Sequence, residues 1–269
     1  MLGRAAKMLI TQSKVGSLVG RVPFLQRTFK NHVWRSQHFM NSFIGVYPTY
    51  EAAAAEAFGD RELGWNTNAV VAAELDQPSV YASLYWISKL LGPGQTIVDF
   101  GGATGKAYRD FIARQPLPEG ANGVVVDLPK VVERGLAHYA GRPPTSLKFS
   151  SDLSLDGPCD IFFSAGCIQY LDATADDIAR LVPASAQHVL FNKFALTDKP
   201  SFFTLQHLGD SMSPNQIFNE KQFVAAFERA GFDLTDRWAV PELNCQIPFE
   251  PDCFVPQFAG VLFSRRARQ

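Results

Sequence analysis

The first 50 residues contain no aspartate or glutamate, yet they carry seven basic residues: Arg4, Lys7, Lys14, Arg21, Arg27, Lys30 and Arg35. The remainder holds 18 Lys/Arg against 26 Asp/Glu, so a net charge of −1 conceals segments of +7 and −8. An acidic body is a poor nucleic-acid surface, because neutralising phosphates needs clustered Lys and Arg, so no nucleic-acid partner is expected. The basic start can pack on the acidic body, touch a membrane surface peripherally, or meet a partner, a second copy in a homodimer included. Its composition also resembles an organelle transit peptide, although the Phe- and Trp-containing stretch that follows reads as structural. Cysteine is scarce. Cys159, Cys167, Cys245 and Cys253 form no Cys-x-x-Cys pair, which excludes the common zinc spacings; no metal is expected. Buried free thiols suit a reducing, cytoplasmic setting. No apolar run approaches the roughly 18 residues that a bilayer span needs. Residues 1–10 are too short and too charged for a secretory signal core.

The 269 residues are 46% hydrophobic and include 22 phenylalanines, enough for one large α/β domain, or a domain plus a cap, with an aromatic-rich core. Residues 43–50 read as a compact aromatic turn, after which Thr49 can cap a helix over 51–58. Helical spacing of Val80, Leu84, Ile87, Leu90 and Leu91 marks a helix over 79–91, ended by Gly92-Pro93-Gly94. From residue 95 strands alternate with helices. Strands are expected at 95–100, 122–127, 146–150, 159–163, 187–193, 233–239 and 259–265, and helices at about 104–114, 129–140, 174–183 and 219–230. This alternation implies a doubly wound, mostly parallel sheet of seven strands. A proline-rich connection (Pro241, Pro248, Pro251, Pro256) replaces the last crossover helix, so the final strand should enter antiparallel. The expected division is a helical N-terminal extension or cap over 1–92 and a ligand-binding domain over 93–269.

The most informative stretch is Thr96-Ile97-Val98-Asp99-Phe100-Gly101-Gly102-Ala103-Thr104-Gly105. A strand runs into an acid and then a turn with three glycines. Two phosphate-binding patterns fail here. G-x-G-x-x-G meets Ala103 and Lys106 if begun at Gly101, and Thr104 and Ala107 if begun at Gly102. G-x-x-x-x-G-K-[ST] finds Gly105-Lys106, but with Phe100 and Ala107 at its other fixed positions. A tight turn with no ligand is one reading. A turn that lets backbone approach a ligand is the other. Two further acids favour the second. Asp127 ends the second strand, 28 residues after Asp99, where an acid can accept two hydrogen bonds from ribose hydroxyls. Asp152 follows the third strand. Each alone could be a cap or a surface turn; their placement after successive strands is a pattern.

Asp99, Gly101 and Gly105 resemble the first motif of class I S-adenosylmethionine-dependent methyltransferases, acid-x-Gly-x-Gly-x-Gly; Ala103 departs from it at the middle glycine, beside Gly102. Asp127-Leu128-Pro129 resembles the Asp-Leu-Pro of the small-molecule O-methyltransferases. The resemblance implies a Rossmann-like fold with S-adenosylmethionine as cofactor. Asp99 would serve the amino-acid end, Gly101, Gly102 and Gly105 the close approach, and Asp127 the ribose. Leu128 would lie against adenine, and Asp152 and Leu153 would lie beside its amino group. Ser164, at the end of the fourth strand, would border cofactor and substrate.

Over about residues 40–265 the chain also resembles a bacterial methyltransferase family that sits among surface-polysaccharide functions. The residues carrying this are Phe43-Ile44-Gly45-Val46-Tyr47, Asp99-Phe100-Gly101-Gly102, Ser164-Ala165-Gly166-Cys167-Ile168-Gln169-Tyr170-Leu171, Thr204-Leu205-Gln206 and Ile217-Phe218-Asn219. It implies methylation, on oxygen in the first instance, of a small molecule or a sugar or glycan precursor. The Asn/Asp-Pro-Pro-aromatic motif of amine methyltransferases is absent, and so is the general-base histidine of plant-type O-methyltransferases, where Cys167, Ile168 and Gln169 stand. Among the five histidines, His207 lies after the fifth strand and is the candidate base. Gln206 could position a hydroxyl, Lys193 is a further polar candidate, and Tyr47, Trp65, Tyr81 and Tyr85 could wall a pocket. Ala103 and the missing base leave a second reading: a degenerate methyltransferase fold that serves as a binding or scaffold module.

Overall fold

The computed structural model describes residues 22, 24, 41–58, 77–152, 154, 157–209 and 211–267. In chain order the elements are β1 (Phe43–Tyr47), α1 (Tyr50–Ala54), α2 (Pro78–Leu90), β2 (Thr96–Phe100), α3 (Lys106–Ile112), β3 (Asn122–Val126), α4 (Pro129–His138), β4 (Leu147–Ser150), β5 (Ile161–Ala165), α5 (Ala175–Leu181), β6 (His188–Phe194), β7 (Leu196–Thr197), β8 (Phe202–His207), β9 (Met212–Asn219), α6 (Glu220–Arg229), β10 (Phe232–Val240) and β11 (Phe258–Arg265). Contacts group the chain into two compact units that interleave along it. The sheet unit takes Asn68–Phe194, Glu220–Glu242 and Ala259–Gln269, and the smaller unit takes Met1–Thr67, Ala195–Asn219 and Leu243–Phe258. The boundary expected after residue 92 is a cut in sequence, whereas this grouping follows contacts and assigns α2 to the sheet unit.

The sheet unit carries seven strands in the order β10-β11-β6-β5-β2-β3-β4. All seven lie where strand-helix alternation puts them. β2, β3, β4, β5 and β6 pair in parallel, and β11 runs antiparallel to β6, as the proline-rich connection implies. Parallel neighbours need crossovers, and α3, α4 and α5 supply them after β2, β3 and β5. β5 reads Ile-Phe-Phe-Ser-Ala and is buried along its length, as a central strand covered on both faces must be. β10 alternates into exposed polar positions and stands at the sheet's end. Because the parallel strands share one direction, their carboxyl ends and the loops that follow share one rim, the rim at which such sheets bind ligands.

Many of the phenylalanines gather under this sheet. Phe227 stacks on Phe263 with centroids 4.5 Å apart, and meets Phe191 at 5.4 Å and Phe223 at 5.2 Å. All four are fully buried. Phe227→Ala should therefore cost about 3–5 kcal/mol, through lost transfer energy and a residual cavity. Urea unfolding followed by circular dichroism measures it; a loss below about 1 kcal/mol would mean that the cluster is not packed as described.

The smaller unit differs from what its sequence suggests. Residues 43–47 form a strand instead of an aromatic turn, pairing antiparallel with β8, and β8 and β9 form a hairpin from Phe202↔Ile217 to His207↔Met212. The sheet order is β1-β8-β9-β7. Pro214 within β9 hides this strand from a sequence reading, because proline cannot donate to a ladder. Here β7 pairs only with Phe218 and Asn219, so at Pro214 one side of β9 is an edge. The cap on α1 is as expected, with Ala52 N–H donating to Thr49 Oγ1 at 3.2 Å, but the helix ends at Ala54. The core of this unit is Ile44, Tyr47, Ala53, Phe203, Leu205 and Met212.

Candidate functional site

The turn after β2 is shaped by contacts that a side chain would block. Gly101 has φ +72°, and its N–H donates to Val126 O at 2.7 Å, tying the ends of β2 and β3 together. A Cβ there would fall 2.3 Å from Cys167 Sγ. At Gly102 a Cβ would fall 2.4 Å from Asp99 Oδ2. Gly105, at φ +74°, is the N-cap of α3. Ala103, the departure from the glycine pattern, takes φ +50°, a left-handed conformation that costs an L-residue roughly 1–2 kcal/mol. Its N–H donates to Asp127 Oδ2 at 2.9 Å, while Leu128 N–H donates to Asp127 Oδ1 at 2.7 Å. One carboxylate thus closes the turn against the end of β3.

Two acids and a thiol share this place. Asp99 is buried, and loss of water, with the like charge of Asp127 second, pushes its carboxyl up to about 7. Asp99 also borders a cavity of about 30 Å³ whose other walls include Ile87, Ile97, Phe111, Val125 and Phe163. Burial likewise raises Asp127, against the lowering effect of its two backbone donors. Cys167 is pushed up to about 12 by burial and by the carboxylates of Asp127 and Asp99, and the Ser164 hydroxyl faces its sulfur. An acid kept short of water gains most from a cation, and a carboxylate offers about four acceptor sites, of which Asp127 uses two. Chemically, the pair can hold a ligand that is cationic at one end and hydroxylated at the other.

The structure brings Asp99, Gly101, Gly102, Gly105, Asp127 and Ser164 together at the carboxyl ends of β2, β3 and β5. Leu128 is 48% exposed immediately after Asp127. Asp152 is exposed after β4; the Ser154 hydroxyl and N–H donate to its carboxylate and hold it below the usual range. Leu153 and Trp65 lie outside the described residues. Tyr81 and Tyr85 are exposed on α2, and Tyr47 is buried within the smaller unit. His207 and Gln206 lie on β8, also in the smaller unit. His207 is fully buried, its Nδ1 accepts from Gly209 N–H at 3.0 Å, and its ring meets Phe58 edge-on at 5.7 Å. Gln206 Oε1 accepts from Asn215 Nδ2 at 2.9 Å.

The sequence does not reveal a second polar group in the sheet unit. Ser79, in the first turn of α2, donates to Glu242 Oε1 through both its N–H, at 3.1 Å, and its hydroxyl. Asn192 Nδ2 donates to Ser79 O at 3.1 Å, and Trp238 Nε1 donates to Asn192 Oδ1 at 3.2 Å. Beside Asn192, Lys193 takes φ +60°. Gln169 Nε2 donates to Lys193 O at 3.2 Å. Positive φ at a lysine has no sequence signature. The only hint is that Lys193 lies at the carboxyl end of the fifth parallel strand.

No protein-family model matches the chain, and no curated protein matches it. Solved structures do match. A Burkholderia thailandensis 1,6-didemethyltoxoflavin-N1-methyltransferase, solved with 1,6-didemethyltoxoflavin and S-adenosylhomocysteine, aligns at TM-score 0.50 and 19% identity over 71% of this chain and 80% of its own. A Clostridium acetobutylicum S-adenosylmethionine-dependent methyltransferase aligns at TM-score 0.50 and 10% identity over 74% and 96%. A chain from a complex between the Haloferax volcanii Trm112 methyltransferase activator and "the putative methyltransferase" aligns at TM-score 0.50 and 14% identity over 78% and 100%. At these identities the likeness defines the fold: a Rossmann-like class I methyltransferase sheet.

Proposed function

We propose that the chain is an S-adenosylmethionine-dependent methyltransferase whose acceptor is a hydroxyl of a small molecule or of a sugar or glycan precursor. The observation that carries this is the pairing of Asp99 and Asp127 around a turn that accepts no added side chain at Gly101 or Gly102. The ligand patterns with pyrophosphate fail in this turn, whereas a buried acid beside it and a second acid at the end of β3 suit a sulfonium amino acid joined to a ribose. Asp99 would take the ammonium end, Asp127 the ribose hydroxyls and Leu128 one face of adenine. Asp152 and Leu153 would lie toward the adenine edge, and Ser164 toward the reacting end. When bound, the cofactor supplies a methyl group on a sulfonium. The protein's task is to align the acceptor and remove its proton.

Asp127→Ala should weaken S-adenosylhomocysteine binding about 10- to 100-fold, the worth of hydrogen bonds to a charged acceptor, as measured by calorimetry. The reaction itself is tested with methyl-labelled cofactor and a panel of phenols, free sugars and nucleotide sugars. Label on an acceptor oxygen is expected. Cofactor binding with no label on any panel member would favour the second reading, a binding module, for which the strained Ala103 turn is the supporting observation.

A further inference from the structure

At the carboxyl end of β6, two strands from the glycine turn, stands a lysine with no carboxylate at ion-pair distance among the described residues. Lys193 is half-buried, and its amine makes no hydrogen bond or ion pair among the described residues. Its backbone holds a left-handed conformation, φ +60°, which a β-strand end does not adopt unless its surroundings impose it. Those surroundings are visible. Gln169 reaches over from the turn after β5 to Lys193 O, Gly166 N–H donates to Asn192 O at 2.9 Å, and a Cβ on Gly166 would come within 3.8 Å of Lys193 Cβ. Three buried acceptor-capable atoms of this region have no hydrogen-bond partner among the described residues: Gln169 Oε1, Glu242 Oε2 and Ser83 Oγ. The sheet order β6-β5-β2 puts β6 two strand spacings, about 10 Å, from the turn that follows β2, on the same rim.

We propose that Lys193 is the proton-accepting residue of the reaction, drawing the O–H proton from the methyl acceptor. This rests on the methyltransferase reading above. The balance is complete with what that reading supplies. The acceptor's O–H bond breaks and its proton goes to the neutral Lys193 Nζ; an O–C bond forms as the C–S bond breaks, and its electron pair leaves with sulfur as a neutral thioether. Lys193 then returns the proton to solvent. The amine must be neutral to begin, and its setting favours that state: burial holds it below the ordinary lysine range, Lys106 adds to the lowering, and the carboxylates of Glu242 and Asp110 oppose it. The rate should therefore rise with pH through the Lys193 titration. His207, sealed in the core of the smaller unit, lacks comparable access.

Trace acetylation with acetic anhydride over roughly pH 6 to 11, read lysine by lysine by mass spectrometry of the full chain, measures each amine's titration. Lys193 should titrate below the ordinary lysine range, and Glu242→Gln should lower it further, because a carboxylate that favours the charged amine is gone. Titration of Lys193 within the ordinary lysine range overturns the proposal. Lys193→Met and Lys193→Arg should keep S-adenosylhomocysteine affinity within about threefold, under 1 kcal/mol. Both should slow labelled methyl transfer at least about 100-fold, with the rising pH limb lost. Arginine keeps the charge but cannot act as a base at these pH values, so an active Lys193→Arg overturns the proposal, as does loss of transfer in His207→Gln with Lys193→Met active. Failure of the wild type to bind S-adenosylhomocysteine at all would instead defeat the methyltransferase reading.

Discussion

Gly101→Ala is expected to destabilise the protein by about 2–5 kcal/mol and to remove cofactor binding. Two costs add. The left-handed backbone at φ +72° penalises any Cβ by roughly 1–2 kcal/mol. The new methyl would also stand 2.3 Å from Cys167 Sγ and 2.4 Å from Cys167 Cβ, and the Cβ, bonded to the backbone, cannot rotate clear. The double variant Gly101→Ala/Cys167→Gly separates the two, because it removes the collision and leaves the backbone cost. Urea unfolding of the single and double variants should show the double recovering about half of the loss. A single variant within about 0.5 kcal/mol of wild type would mean that the turn is not built as described.

Asp99 carries the second large effect. Its carboxyl is pushed up to about 7 in the folded chain, against 3.8 for the free group. A raised acid binds its proton more tightly in the native state than in the unfolded one. Its contribution is therefore full below about pH 4 and is lost as pH rises toward 7, an interval corresponding to about 4 kcal/mol. Asp99→Asn should flatten the stability-pH curve between pH 4 and 7 and exceed wild type in stability at about pH 8. A cationic ligand end beside Asp99 restores its ionisation, so S-adenosylmethionine should bind about tenfold more tightly at pH 8 than at pH 6, with release of a proton. In Asp99→Asn that pH dependence should disappear. An unchanged pH profile in the variant would assign the linkage to another group.

Much of the sheet unit is legible in the sequence because its signals are local. Strand and helix periods alternate from residue 95, and an antiparallel last strand follows from a connection too proline-rich to be a crossover helix. Asp99 and the glycines are legible for the same reason, since acid and turn are neighbours in sequence, and Asp127 because it stands at the end of the next strand. What is not legible depends on distant partners. β9 contains Pro214 and reads as broken, yet an edge tolerates it. β1 reads as a turn because its pairing partner β8 lies some 160 residues away in sequence. Cys167 looks like the place of a missing base. Its packing against Gly101 appears only in three dimensions and explains why that turn excludes a side chain. Lys193 and Glu242 are separated by 49 positions in sequence and joined by electrostatics through the fold.

The central claim is that this turn and its two acids hold S-adenosylmethionine. Calorimetric titration of S-adenosylhomocysteine into the folded full chain tests it most directly. One molecule bound per chain is expected, with Asp127→Ala weakened and Lys193→Met unchanged. No binding by a chain that is folded by circular dichroism, under conditions where a control methyltransferase binds, would contradict it.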